Sequence, residues 1–410
     1  MLINPNSLFI ILISIIVFNF LKDSFLDFLN STHFENKIPE ILSDVYDKDK
    51  YLKSQDYKKT QYEFTKYSRI FSLITVLLFF FIDGFLILDN FSRNYFESSI
   101  LISLFFFGII FFANELINLP FSIYFTFIIE EKYGFNKTNV KTFVFDKLKS
   151  WILTILFGSG ILSFIIFQFE LIGEKFWIVA WIFMTILSIL INGFYAQIIV
   201  PLFNKQSKLE DGELRTEIEK YAKKTGFNLS NIFVIDGSKR STKANAYFSG
   251  FGKQKRVTLY DTLITKLSNN QIISVIAHEI GHYKKNHIIF NLIFSVFQTG
   301  IMLYILSLFI FQPIFSEALG VTNHSFHIGL ITFSILYTPI SELFSLIFNV
   351  FSRKFEFQAD EYAKKTFDGI HLLKALKILS KDSLSNLTPH PKYVWWHYSH
   401  PTLFERITRL

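Results

Sequence analysis

Seven apolar runs of roughly 20 residues recur along this chain, near 4–21, 68–88, 98–120, 150–171, 176–203, 288–312 and 328–352, each long enough to cross about 30 Å of hydrocarbon as a helix. The 52 Phe residues collect in these runs with Ile and Leu. A hydrophobic content of 50% exceeds what a soluble core requires. Its concentration in stretches of spanning length predicts a mainly α-helical integral membrane protein with seven transmembrane helices. The first run lacks a basic leader and an A-x-A-like site, so it reads as a retained span and not as a cleaved signal peptide.

Charge alternates between the runs. Segments 22–67, 130–149, 204–287 and 353–410 carry 8, 5, 15 and 10 Lys and Arg, whereas the N-terminus and the loops 89–97, 172–175 and 313–327 carry only Arg93 and Lys175. Cation-rich loops mark the cytoplasmic side, which predicts an external N-terminus and a cytoplasmic C-terminus, in a bacterial inner membrane or an endoplasmic reticulum membrane according to source. The chain then divides into a membrane region with spans one to five, 1–203, a cytosolic segment, 204–287, spans six and seven, 288–352, and a C-terminal cytosolic part, 353–410. The net charge of +7 belongs to this loop pattern and gives no reason to expect nucleic acid; the expected partner is the bilayer. Asp83, Asn114, Glu115, Asn192, Gln197 and Glu342 fall inside the runs, where they must face either partner helices or a water-filled interior.

With no Cys in the chain, a metal ion has only His, Asp and Glu as ligands. Segment 269–287, NNQIISVIAHEIGHYKKNH, reads as a helix that runs almost directly into the sixth span. His278 and His282 lie about 40° apart around its axis, so both rings can reach one ion. Glu279 lies about 100° from His278, placed to act as a general base and not as a ligand. With 10 His in the chain, this pattern arises by chance on the order of once in a hundred such sequences. A catalytic zinc takes three protein ligands and keeps one open position. Glu356 in SRKFEFQADEYAKK, expected to begin another amphipathic helix, is the candidate third ligand. Asp360, one turn later on the same face, can accept the free N–H of a ligating imidazole. Alone, this second segment also reads as a solvated charged helix. Two His and a carboxylate suit non-haem iron too, but HExxH with a distant Glu favours zinc, one ion per chain.

HEIGH followed by EFQAD resembles peptidase family M48, and the chain is similar to its Ste24-type CAAX prenyl endopeptidases. Matching blocks extend over nearly the whole length: YLKSQDY at 51–57, LPFSIYFTFIIEEKYGFNKTN at 119–139, PLFNK at 201–205, RSTKANAYFSGFGKQKRVTLYDTL at 240–263 and HYSHPTLFERI at 397–407. The resemblance implies seven long helices enclosing a large hydrated chamber, closed by a cytosolic gluzincin-like zinc protease domain. It assigns His278, His282 and Glu356 to zinc, Glu279 to the base and Asp360 to the support of a ligand. It likens the segment with Asn245, Ala246 and Tyr247 to a strand lining the cleft, where an extended substrate could pair with an exposed edge; ordinary strand surface is the other reading of these residues. His400 and Arg406 match the family's SHP and ERI positions, which implies stabilisation of an oxyanion. One departure is Lys243, where members often carry His, so a polar contact near the cleft is altered. His33, His287, His324, His327, His371, His390 and His397 lack the spacing or partners of ligands and read as loop or interface residues.

The resemblance thus implies a zinc endopeptidase acting on peptide or protein substrates, with removal of the last three residues of prenylated proteins ending in C-a-a-X. Within the same chemistry, the alternative is a quality-control protease that cuts misfolded or stalled membrane proteins. A non-proteolytic transporter or scaffold is the reading from a different class, suggested by the polar-lined spans and opposed by the complete ligand set.

Overall fold

The computed structural model describes residues 4–34, 37–227, 231–250 and 256–410. Helix α1 (Pro5–Ser31) starts where Asn4 accepts the Ser7 N–H and proline occupies the first turn. Helix α2 (Lys48–Phe81) is capped by Asp47, begins well before its apolar run and stops inside it. Asp83, at φ 55°, breaks the helical ladder and starts α3 (Gly84–Arg93), so the expected continuous span 68–88 is two helices. Helix α4 (Ser99–Tyr124) contains Pro120 and passes into a π-helical turn, Phe125–Glu130. A proline inside a helix removes one i→i−4 bond, here the one to residue 116, and the widened turn lies beyond it. Helices α5 (Val140–Ile172) and α6 (Phe176–Phe203) are parted at Gly173, whose φ of 57° favours glycine.

Strand β1 (Gln206–Lys208), helix α7 (Glu213–Lys224) and strands β2 (Asn231–Ile235), β3 (Ala246–Ser249) and β4 (Arg256–Tyr260) follow. The sheet order is β1-β2-β4-β3, with β2 parallel to β4 and the other pairs antiparallel. Among the described residues β3 therefore pairs with β4 alone and forms an edge, Ala246 opposite Leu259 and Ser249 opposite Arg256. The short α8 (Asp261–Ile264) leads to α9 (Asn269–Lys284), whose start is fixed by the Ser268–Gln271 capping box. Ile272, Ile273, Ile276 and Ile280 make a helical stripe buried against Ile218 and Tyr221 of α7 and Val257 and Leu259 of β4.

Asn286, at φ 59°, separates α9 from α10 (His287–Phe309). The short α11 (Ile314–Glu317) precedes α12 (Phe326–Thr366), a single helix of 41 residues. Sequence reading ended a span at 352 and began a new helix at Glu356. Nothing in VFSRKFE stops a helix, and the span runs on without interruption to Thr366. Helices α13 (Gly369–Asp382), α14 (Pro391–His397) and α15 (Leu403–Ile407) complete the chain.

Six helical segments among the described residues are long and apolar enough to cross a membrane, with Val140–Phe203 counted as one. Between 6% and 22% of the residues in their most apolar windows are buried by protein. Phe18, Leu78, Leu156 and Ile293 are each more than half exposed, surface that hydrocarbon must cover. Some of the intramembrane polar groups tie helices together. Glu115 accepts from Trp151 Nε1 at 2.7 Å and pairs with Lys147 at 3.1 Å, tying α4 to α5, and Glu342 pairs with Lys22 of α1. Asn192 instead lines a cavity of about 480 Å³ with residues of α10 and β3. His327 is an interface residue: its ring lies 2.7 Å from Asp89 and 3.0 Å from Ser103, which joins α12 to α3 and α4.

Candidate metal centre

Helices α9 and α12 approach closely at a glycine. A Cβ at Gly281 would stand 3.0 Å from Ala359 Cα and 3.1 Å from Tyr362 Cβ. Only the missing side chain lets the two backbones come this near, and that distance brings the flanking His278 and His282 to Glu356 and Asp360. His278 Nε2 lies 3.4 Å from Glu356 Oε2, His282 Nε2 lies 3.3 Å from Glu356 Oε1, and the two Nε2 atoms are 3.1 Å apart. Among the described residues this is the one group of three or more His, Asp or Glu that could hold a metal ion, with all donor atoms within 4.8 Å of one another. Glu356 Oε2 is buried without a hydrogen-bond partner. A buried carboxylate whose two oxygens each face one imidazole nitrogen, with no hydrogen bond to Oε2, fits a divalent cation, and nitrogen–oxygen donors without thiolate suit zinc.

The groups around the trio are themselves held. His278 Nδ1 donates to Asp360 Oδ1 at 2.9 Å, which leaves Nε2 facing Glu356. Arg406 donates to Asp360 through Nε at 2.8 Å and Nη2 at 2.6 Å. Sequence reading turned Arg406 toward an oxyanion, but two of its three nitrogens are taken by Asp360. Nη1, 3.6 Å from Glu356 Oε2, is the one left toward the cleft. Its helix is fixed by the Thr402–Glu405 capping box and by Ile407, buried with Leu42, Tyr57 and Leu384. The His400 side chain is 64% exposed, with Nε2 at 3.3 Å from Glu356 Oε1.

Glu279, His400, Arg406 and the donor trio line one cavity of about 390 Å³ together with Asn245 and Ala246. Tyr247 lines the adjoining cavity with Asn192, since successive strand residues face opposite ways. Burial pushes the Glu279 carboxyl above its usual range against the opposing pull of His278 and His282. For His278 burial acts downward, but the hydrogen bond to Asp360 and the nearby Glu356 carboxylate outweigh it and raise the imidazole to about 9. Lys243 pairs with Glu130 Oε2 at 2.7 Å and sits 4.3 Å from the Phe135 ring centre, so this cation is held by the turn that follows α4.

His287 is the residue that sequence reading missed. The sequence reads it as a loop or interface residue, yet its Nδ1 lies 3.0 Å from His282 Nδ1 and its Nε2 lies 2.8 Å from Gln358 Oε1. In a continuous helix, residues five apart point roughly 140° away from each other. The left-handed turn at Asn286 cancels that rotation, and no periodicity in the sequence announces it.

Residues 28–205 match the family described as CAAX prenyl protease N-terminal, five membrane helices, and residues 208–410 match peptidase family M48. CAAX prenyl protease 1 of Saccharomyces cerevisiae is 36% identical, over 92% of this chain and 89% of that protein. The CAAX prenyl protease 1 homolog of Dictyostelium discoideum is also 36% identical, over 97% and 95%, and the Homo sapiens homolog is 32% identical, over 91% and 88%. The crystal structure of S. mikatae Ste24p superposes with a TM-score of 0.93 at 34% identity and covers 98% of each chain.

Proposed function

We propose, for a chain that belongs to peptidase family M48, hydrolysis of peptide bonds at the His278–His282–Glu356 centre, with the C-terminal CAAX segments of prenylated proteins as substrate. His278, His282 and Glu356 would hold one zinc ion. When bound, zinc supplies a Lewis acid that makes water a competent nucleophile near neutral pH and polarises the scissile carbonyl. Glu279 accepts the proton of the attacking water and delivers it to the leaving amine, a task that suits a carboxyl whose proton affinity burial has raised. Asp360 fixes the tautomer of His278, and Arg406 fixes Asp360. His400, exposed toward the same cavity, donates to the developing oxyanion with Arg406 Nη1 beside it. The free edge of β3 pairs with the extended substrate backbone, Asn245 and Ala246 next to the reacting bond and Tyr247 at substrate side chains in the adjoining cavity.

Val140–Phe203, at 64 residues, is two crossings, which makes seven in all. The similarity over 98% of the chain to S. mikatae Ste24p supports a hollow interior in which a prenyl chain lodges. The cation pattern of the loops supports an external N-terminus and a cytoplasmic protease domain, divided from the membrane region near residue 204 and completed by 353–410, in a bacterial inner membrane or an endoplasmic reticulum membrane according to source.

The observation that carries this reading is the buried donor trio, with its unpaired Glu356 oxygen, lining one cavity with Glu279 in a chain similar end to end to CAAX prenyl proteases. The test is cleavage of a farnesylated CAAX peptide by the purified protein, by its Glu279→Gln variant and after chelation. Metal-dependent release of the tripeptide, lost in the variant, is expected. Undiminished cleavage by Glu279→Gln would overturn the mechanism, and cleavage confined to unlipidated, misfolded membrane proteins would make the chain a quality-control protease.

A further inference from the structure

His278 Nδ1 has an anionic partner in Asp360; among the described residues His282 Nδ1 has none, and what stands behind it is a second imidazole. His287 is 2% exposed, and its ring lies flat on Phe355, centroids 4.1 Å apart and planes inclined by 12°. Its Nδ1 faces His282 Nδ1 at 3.0 Å. Two ring nitrogens at that distance share one proton, so one ring must donate and the other accept. If His282 presents the Nε2 lone pair to a metal ion, its own proton sits on Nδ1 and His282 is the donor. His287 is then neutral with its proton on Nε2, where Gln358 Oε1 stands 2.8 Å away to accept it. The opposite direction would put a proton on His282 Nε2 and remove the ligand.

We propose that His287 and Gln358 form a relay that positions His282, fixing its tautomer and the direction of its ring through a chain of two hydrogen bonds. The proposal rests on His282 being a metal ligand. A neutral partner has a physical reason here: Glu279, Glu356 and Asp360 already place three carboxyl groups around the two imidazoles and Arg406. A further carboxylate behind His282 would add an unpaired buried charge, whereas an imidazole orients the ligand without one. The Asn286 turn and the Phe355 stack hold the relay in place, since the turn folds the first residue of α10 back over the last turn of α9. His287 is thus a positioning residue that acts on the ion only through His282.

Zinc affinity of the full-length protein in detergent, measured by competition with a chromogenic chelator, tests the relay independently of any peptidase substrate. His287→Phe keeps a flat ring on Phe355 and removes the acceptor. His287→Asn places an amide oxygen near the position of Nδ1. His287→Phe is expected to weaken zinc about 10- to 100-fold, the usual effect of losing a ligand's orienting partner, with the peptide KM changed less than about twofold. His287→Asn should recover most of the loss. Gln358→Leu, which leaves the His287 ring in place, should weaken zinc in the same direction. Wild-type affinity in His287→Phe would overturn the proposal, as would equal loss in Phe and Asn variants, which marks packing alone. If His287→Phe fails to fold by thermal unfolding, Gln358→Leu decides, and unchanged affinity there overturns the relay. A wild-type protein that binds zinc but does not cleave CAAX peptides would defeat the proposed substrate and leave this inference standing.

Discussion

Substituting Gly281 by Ala separates metal binding from stability. The added Cβ would meet Ala359 Cα at 3.0 Å, Tyr362 Cβ at 3.1 Å and Ala359 O at 3.2 Å. Ordinary carbon contacts begin near about 3.5 Å, so α9 and α12 must part by roughly 0.5 Å, and none of the three atoms can rotate away. Overpacking of this kind costs about 1–3 kcal/mol. Alanine in a helix interior returns about 1 kcal/mol relative to glycine. The metal-free protein should therefore lose no more than about 2 kcal/mol, a small shift in its unfolding midpoint. The ligands feel the displacement in full, because His278 and His282 ride on one helix and Glu356 on the other, and a zinc site tolerates only about ±0.2 Å. Zinc affinity, measured by chelator competition, should fall at least about tenfold. Ala359→Gly should not rescue it, since two of the three clashes are with backbone atoms of residue 359. Wild-type affinity in Gly281→Ala would refute the reasoning that the α9–α12 approach sets the ligand geometry.

Glu279→Gln should lower kcat by about 10²- to 10⁴-fold while one zinc ion remains bound, checked by peptide cleavage together with metal analysis. His400→Ala should lower kcat by about 10²- to 10³-fold with zinc affinity unchanged; a matching loss of metal would make His400 a ligand and not an oxyanion donor. His327→Leu leaves Asp89 buried with Arg93 as its remaining ionic partner and should destabilise the membrane region by about 1.5–3 kcal/mol, read from the unfolding midpoint of the detergent-solubilised protein.

Much of this protein was legible in its residue order. Apolar length is a one-dimensional property set by bilayer thickness, so the runs identify the membrane helices without tertiary information, although the break at Asp83 lies inside one of them. The HEIGH spacing is likewise local: one turn of helix places His278 beside His282 whatever surrounds it. The pairing of that turn with Glu356 and Asp360 is not local. It depends on an α12 that continues past the membrane boundary and on the closeness that Gly281 permits, and each involves residues far apart in sequence. Arg406 illustrates the same limit. Its motif placed it at the site, but two of its nitrogens went to Asp360 because a buried carboxylate holding a histidine needs a cation. His287 was beyond any pattern, since its part at the site depends on the sign of one φ angle at Asn286. Sequence by itself determined which elements form and which chemistry they carry, because helical period and span length are short-range. Only the tertiary structure decided which groups hold one another in place, because that follows from the distances at which separate helices pack.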